Sequence, residues 1–136
     1  MCIRDSFKTV DYVVSKLNKK KQKPFFLACG IFRPHLPWYA PQKYFDLYPL
    51  EEILLPDVLE NDLDDIPQEG KELAAFRRGD FLNIKKSGKW KEAVQAYLAC
   101  ISFADAQLGR VIDALEKSSH YPVSYTHLTL PTIYSV

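Results

Sequence analysis

The chain has no long apolar run, almost no net charge and few cysteines, and each absence removes a class of function. No stretch approaches the ~20 apolar residues needed to cross a bilayer, so no membrane span is expected. A net charge of +1 leaves no field to recruit nucleic acid or an anionic membrane surface. Met1-Cys2-Ile3-Arg4-Asp5-Ser6 lacks the continuous apolar stretch after a basic start that marks a signal peptide, so no export signal is expected in this chain. Cysteines are three in number (Cys2, Cys29, Cys100), with no C-x-x-C and no Cys/His zinc spacing. Cys29 and Cys100 sit in apolar segments and are expected to act as small buried hydrophobes. Self-contained catalytic motifs are also missing. There is no G-x-S-x-G elbow, no H-E-x-x-H and no glycine-rich dinucleotide loop. Ser87-Gly88-Lys89-Trp90 is not a phosphate loop, because Asn83 replaces the first glycine and Trp90 the Ser or Thr. No internal repeat is visible.

What remains is a globular composition, 47% hydrophobic and 13% aromatic, in 136 residues, enough for one domain with its own core. Phe7, Val10, Val13, Val14 and Leu17 recur at helical steps, which predicts an amphipathic helix. It ends in Asn18-Lys19-Lys20-Lys21-Gln22-Lys23, a solvated basic exit suited to a helix C-terminus. Pro24 then opens Phe25 to Phe32, a continuous apolar run of strand length, which predicts a strand buried on both faces of a parallel sheet. Helix followed by buried strand is half of a βαβ unit, so an α/β fold is expected. Arg33 to Pro41 holds three prolines and is read as irregular, with a short helix from Gln42 to Leu47 after it. Glu51 to Gly70 reads as an acidic loop. Its Asp62, Asp64 and Asp65 fail the calcium-loop spacing, since Ile66 and Pro67 occupy ligand and turn positions. From Lys89 to Lys117 the residues Ala93, Tyr97, Ile101, Ala104, Leu108, Val111, Ile112 and Leu115 predict a long helix with that apolar stripe.

The two ends differ in character from the rest. Residues 1–6 and 121–136 resemble translated sequencing-adapter read-through of the kind that caps metagenomic reading frames, MCIRDS at the start and PVSYTHLTLPT at the end. They are expected to be foreign, leaving 7–120 as the functional part; the alternative is a β-prone tail pairing at a sheet edge.

His35 is the candidate for chemistry. It directly follows the expected strand, where ligands of open α/β sheets bind. Pro34 and Pro37 restrict the backbone around an imidazole able to donate to an anionic oxygen or protonate a leaving group. Arg33 and Trp38 would add an anion contact and an apolar wall. A packing or surface role for a lone loop histidine remains the alternative.

Lys23-Pro24-Phe25-Phe26-Leu27 with Arg33-Pro34-His35-Leu36-Pro37-Trp38 is similar to the K-P-F-F-L…P-H-x-P-[FW] segment of type I sulfatases. Lys43-Tyr44-Phe45-Asp46-Leu47-Tyr48-Pro49, Asp64-Asp65-Ile66-Pro67 and Tyr97 to Val111 resemble later segments of the iduronate-2-sulfatase-like branch, in the same order. The resemblance covers about residues 7 to 120. It implies an alkaline-phosphatase-like α/β/α sandwich, present here in part, with one buried strand, two amphipathic helices and a long irregular connection. It implies hydrolysis of sulfate esters, of a sulfated carbohydrate in this branch, and a periplasmic or secreted parent protein. The histidine at the position of His35 contacts the sulfate. The family also uses a formylglycine made from cysteine in C-x-P-S-R and a Ca2+ ion held by an Asp-Asp pair and a later Asp-His-Gly or Asp-Asn-Gly, and none of these motifs occurs in the chain. Asp64-Asp65 lies after the histidine segment and is not that pair. A parent sulfatase is therefore expected, with this chain alone inactive. Two alternatives stand: a related phosphodiesterase or phosphonate hydrolase, and a non-catalytic helical interaction module.

Overall fold

The computed structural model describes residues 3–59, 61–77 and 79–124. Among the described residues five α-helices follow one another: α1 (Ile3–Leu17), α2 (Gln42–Phe45), α3 (Gln68–Arg77), α4 (Gly79–Lys86) and α5 (Trp90–Glu116). Short 3-10 turns lie at Leu50–Glu52 and Tyr121–Val123. The adapter-like stretch 125–136 lies outside the described residues, whereas Asp5 and Ser6 belong to α1 and Ser6 is buried.

The expected stripe on α1 is the buried one. Val10, Val13 and Leu17 retain at most 6% exposure, while Asp11, Tyr12 and Ser15 face solvent. Asp5 in the first turn and Lys16 in the last complement the helix dipole. α1 packs chiefly on α5, and the two run in the same direction. Phe7 meets Phe103 at 5.1 Å between ring centroids, Asp11 meets Arg110, and Val13 and Leu17 pack with Ala114. Tyr44 of α2 and Ala40 complete the core around Ala99, Cys100 and Phe103. The chain after α2 is tied to α5 by two side-chain bonds: Tyr48 Oη with Ser102 Oγ at 2.6 Å, and Gln95 Nε2 donating to the Tyr48 carbonyl at 2.7 Å.

α5 matches the predicted helix within a residue at each end, but only part of the predicted stripe meets the core, where Val111 and Leu115 pack against it. Tyr97, Ile101, Leu108 and Ile112, at the heart of the predicted stripe, are 39% to 49% exposed, while Ala99, Cys100, Phe103, Gln107 and Ala114 are buried. The helix is apolar on two sides and has a partner for one of them. A helix apolar around most of its girth belongs inside a larger assembly of elements.

The expected buried strand does not form. Among the described residues there is no strand, and Phe25 to Phe32 is irregular and largely exposed, Phe26 at 92%. Cys29, expected to be buried, is exposed with it; Cys100 is buried as expected. The physical reason is pairing. A strand is stable when its backbone N–H and C=O groups meet a neighbouring strand, and the described residues offer none. The segment nevertheless takes the course such a strand would need. Phe25 stacks edge-on against His120 beyond the C-terminal end of α5, and Trp38 against Tyr97 near its N-terminal end, so the chain returns antiparallel to the two parallel helices. Helix, extended return and parallel helix are the path of an α/β crossover unit. Two further departures lie in the connection. The Glu51–Gly70 loop is broken by the turn at Leu50–Glu52 and by the start of α3, and α3 and α4 themselves were not foreseen, their weak apolar contrast giving little periodic signal.

Candidate active-site loop

Prolines dictate the loop after the extended segment. Pro34 and Pro37 lack N–H groups and fix φ, and both X–Pro bonds, Arg33-Pro34 and Leu36-Pro37, are cis. Because no regular ladder can serve this stretch, its backbone carbonyls find partners inside the loop. Arg33 Nε donates to the Tyr39 carbonyl at 2.9 Å and Arg33 Nη1 to the His35 carbonyl at 3.1 Å. Trp38 Nε1 donates to the Pro34 carbonyl at 2.9 Å. The His35 amide donates to the Phe32 carbonyl at 3.1 Å.

His35 itself is exposed, its ring 4.7 Å from that of Phe32. Its Nδ1 lies 2.8 Å from the Leu36 carbonyl oxygen. A carbonyl only accepts, so Nδ1 carries the hydrogen, and Nε2 is the nitrogen left without a partner among the described residues. Neutral, that Nε2 is an acceptor; protonated, it is an N–H donor suited to an anionic oxygen. Arg33 is 5% exposed and Trp38 half-buried against Tyr97. The loop's floor is α5. Burial pushes the Cys100 thiol pKa up, and the nearby Arg33 guanidinium opposes that shift.

All three residues singled out from sequence are thus on one loop, and of them His35 presents an exposed ring nitrogen, Nε2, toward solvent. Arg33 and Trp38 spend their donors on the loop's own carbonyls, a use that the spacing of their side chains along the sequence did not reveal.

The Sulfatase family model matches residues 5–124, nearly the whole described chain and every residue of this loop. The chain belongs to the sulfatase family. A sulfatase of Formosa agariphila is 48% identical over 112 residues, 82% of this chain and 22% of that protein. Human iduronate 2-sulfatase is 32% identical over 120 residues, covering 79% of this chain and 22% of the enzyme. An arylsulfatase of Clostridium perfringens is 35% identical over 103 residues, 74% of this chain and 20% of its own length. The chain therefore spans about a fifth of these curated relatives. No solved structure matches it. Sulfatases of this superfamily have an α/β fold, of which the described residues form a helical part.

The residues present do not fit the family's metal or its formylglycine. Among the described residues no group of three or more His, Cys, Asp or Glu side chains could hold a metal ion. Asp62, Asp64 and Asp65 are exposed on a turn. Neither Cys29 in A-C-G-I nor Cys100 in A-C-I-S lies in C-x-P-S-R. No helix among the described residues is long and apolar enough to cross a membrane.

Proposed function

We propose that this chain is one wall of the active site of a secreted or periplasmic sulfatase that hydrolyses sulfate esters of a carbohydrate. The observation that carries this reading is His35, whose Nδ1 is committed to the Leu36 carbonyl and whose Nε2 is left for a ligand. In its cationic form that nitrogen donates to a sulfate oxygen or passes a proton to the departing alcohol. Trp38 beside it lends the substrate an apolar flank. Nucleophilic attack on sulfur and neutralisation of the developing charge fall to residues that this chain does not contain, so the chain alone should not turn over. The family's formylglycine and Ca2+ would supply those two functions in the complete enzyme.

In the complete protein, residues Phe25 to Phe32 would join the central sheet as the strand expected from their sequence. Two uncovered surfaces support this: the extended segment itself, and the Tyr97–Ile101–Leu108–Ile112 face of α5. We take the adapter-like stretches at residues 1–6 and 121–136 as foreign, with 7–120 as the sulfatase part; the family model itself reaches four residues past 120 and two before 7. Source DNA read across both junctions and upstream tests both points. It should show a C-x-P-S-R cassette and an Asp-Asp pair ahead of residue 7. A Ser or Thr at the nucleophile position would instead favour the phosphodiesterase alternative.

A further inference from the structure

Granted the reading of His35 as the sulfate contact, we infer that Arg33 is the positioning residue that fixes which imidazole nitrogen faces the substrate. Arg33 is 5% exposed, and its guanidinium pairs with no carboxylate among the described residues. A buried cation without a counter-ion is costly to hold unless its N–H groups are satisfied. Here two of its nitrogens donate to carbonyls of the loop itself, and no buried side-chain nitrogen among the described residues is left without a partner. Nε reaches Tyr39 and Nη1 reaches His35, so a single planar fork brackets the Pro34–Tyr39 turn from inside. The Phe32 ring lies 5.7 Å from the guanidinium carbon and also stacks near His35, which couples the fork to the imidazole. With the His35 carbonyl held inward, the next carbonyl, that of Leu36, is left to accept from His35 Nδ1. The nitrogen free for a ligand is then always Nε2.

A lysine cannot reproduce this. Its single ammonium is a point charge on a flexible stem and lacks the fork that spans two acceptors in fixed geometry. Arg33 therefore acts through His35, not on the substrate, and this replaces the anion contact that its position beside the histidine first suggests.

The test uses the full 136-residue chain, 15N-labelled on histidine, at a pH of about 8 where imidazole is mostly neutral. Proton–nitrogen correlation of the ring assigns the tautomer of His35, with His120 and His127 as internal references. The wild type should show one dominant His35 tautomer, with hydrogen on Nδ1. Arg33→Met, which keeps an apolar chain of similar length, and Arg33→Lys should each lower the Nδ1–H to Nε2–H ratio by about tenfold, the effect of losing one charge-assisted bond of ordinary strength. Helical circular dichroism monitors the fold. If Arg33→Met loses it, Arg33→Lys alone decides. A folded variant with the wild-type tautomer ratio overturns the assignment of Arg33. Sulfate titration near pH 6 is the separate arm: failure of sulfate to shift the wild-type His35 resonances would count against the sulfate contact and leave the tautomer result standing.

Discussion

Truncating Phe103 to alanine should remove most of the stability this chain possesses. Its side chain is fully buried, and its ring meets Phe7 at 5.1 Å and Tyr44 at 5.5 Å, both tilted by nearly 60°. It is therefore the residue through which α1, α2 and α5 share one core. Phe→Ala changes in packed cores cost about 3–5 kcal/mol, and tilted aromatic pairs add on the order of 0.5–1.5 kcal/mol each beyond buried area. Small domains have about 5–15 kcal/mol in total, and this one, with α5 and the Phe25–Phe32 segment uncovered, belongs at the bottom of that range or below it. The control is Leu108→Ala on the same helix. Leu108 is 49% exposed, so its loss should stay near the surface norm of about 0.5 kcal/mol. Urea titration at low temperature, followed by helical circular dichroism and by the fluorescence of Trp38 and Trp90, separates the two. Phe103→Ala should show little cooperative transition and Leu108→Ala should track the wild type. Equal shifts for the two variants would refute the placement of the core on the Phe103 face of α5.

The Arg110 guanidinium links Asp11 on α1 to Gln107 on α5. Asp11→Ala removes an exposed ion pair and should cost less than about 1 kcal/mol. Arg110→Ala also strips the partner from Gln107 Oε1, 2.8 Å away on a residue that is 2% exposed, and should cost about 1–3 kcal/mol more. Denaturation midpoints of the singles and the double variant check this, and equal costs would contradict it. Cys29 is exposed and should react with a thiol reagent in the native chain, with Cys100 lagging until unfolding. Since burial raises the folded Cys100 pKa, its contribution is fully present below the unfolded thiol value of about 8.5 and is lost as pH rises through the folded one. A stability profile from pH 7 to 10 on Cys100→Ala and wild type should therefore converge at the alkaline end, and parallel profiles would argue against a buried thiol.

Local periodicity made α1 and the span of α5 legible, because Val10, Val13 and Leu17 meet helical spacing without competing signals. Pro41, as a helix-opening proline, marked the short helix that follows it. The periodicity rule found the buried face of α5 only in part, at Val111 and Leu115, since a helix apolar on two sides gives two acceptable stripes and only tertiary partners choose between them. Phe25 to Phe32 shows the opposite failure. Its composition is that of an interior strand, but a strand is a property of the pair, and no paired strand lies among the described residues. For the site, the motif Pro34-His35-Leu36-Pro37 was readable as a family signature and as a rigid loop. The inward turn of Arg33 and Trp38 was not, because it depends on which carbonyls the prolines leave without ladder partners.

The central claim is that His35 serves sulfate ester cleavage in a protein larger than this chain. Turnover of an aryl sulfate by the complete reading frame, wild type against His35→Ala, tests it most directly, with the 136-residue chain alongside. The account predicts an active wild type, a fall in kcat of about 10²–10³ for His35→Ala, the scale of losing one preorganised donor, and no turnover by the chain alone. A His35→Ala enzyme within a few-fold of wild type, or a 136-residue chain that hydrolyses the ester, would contradict it.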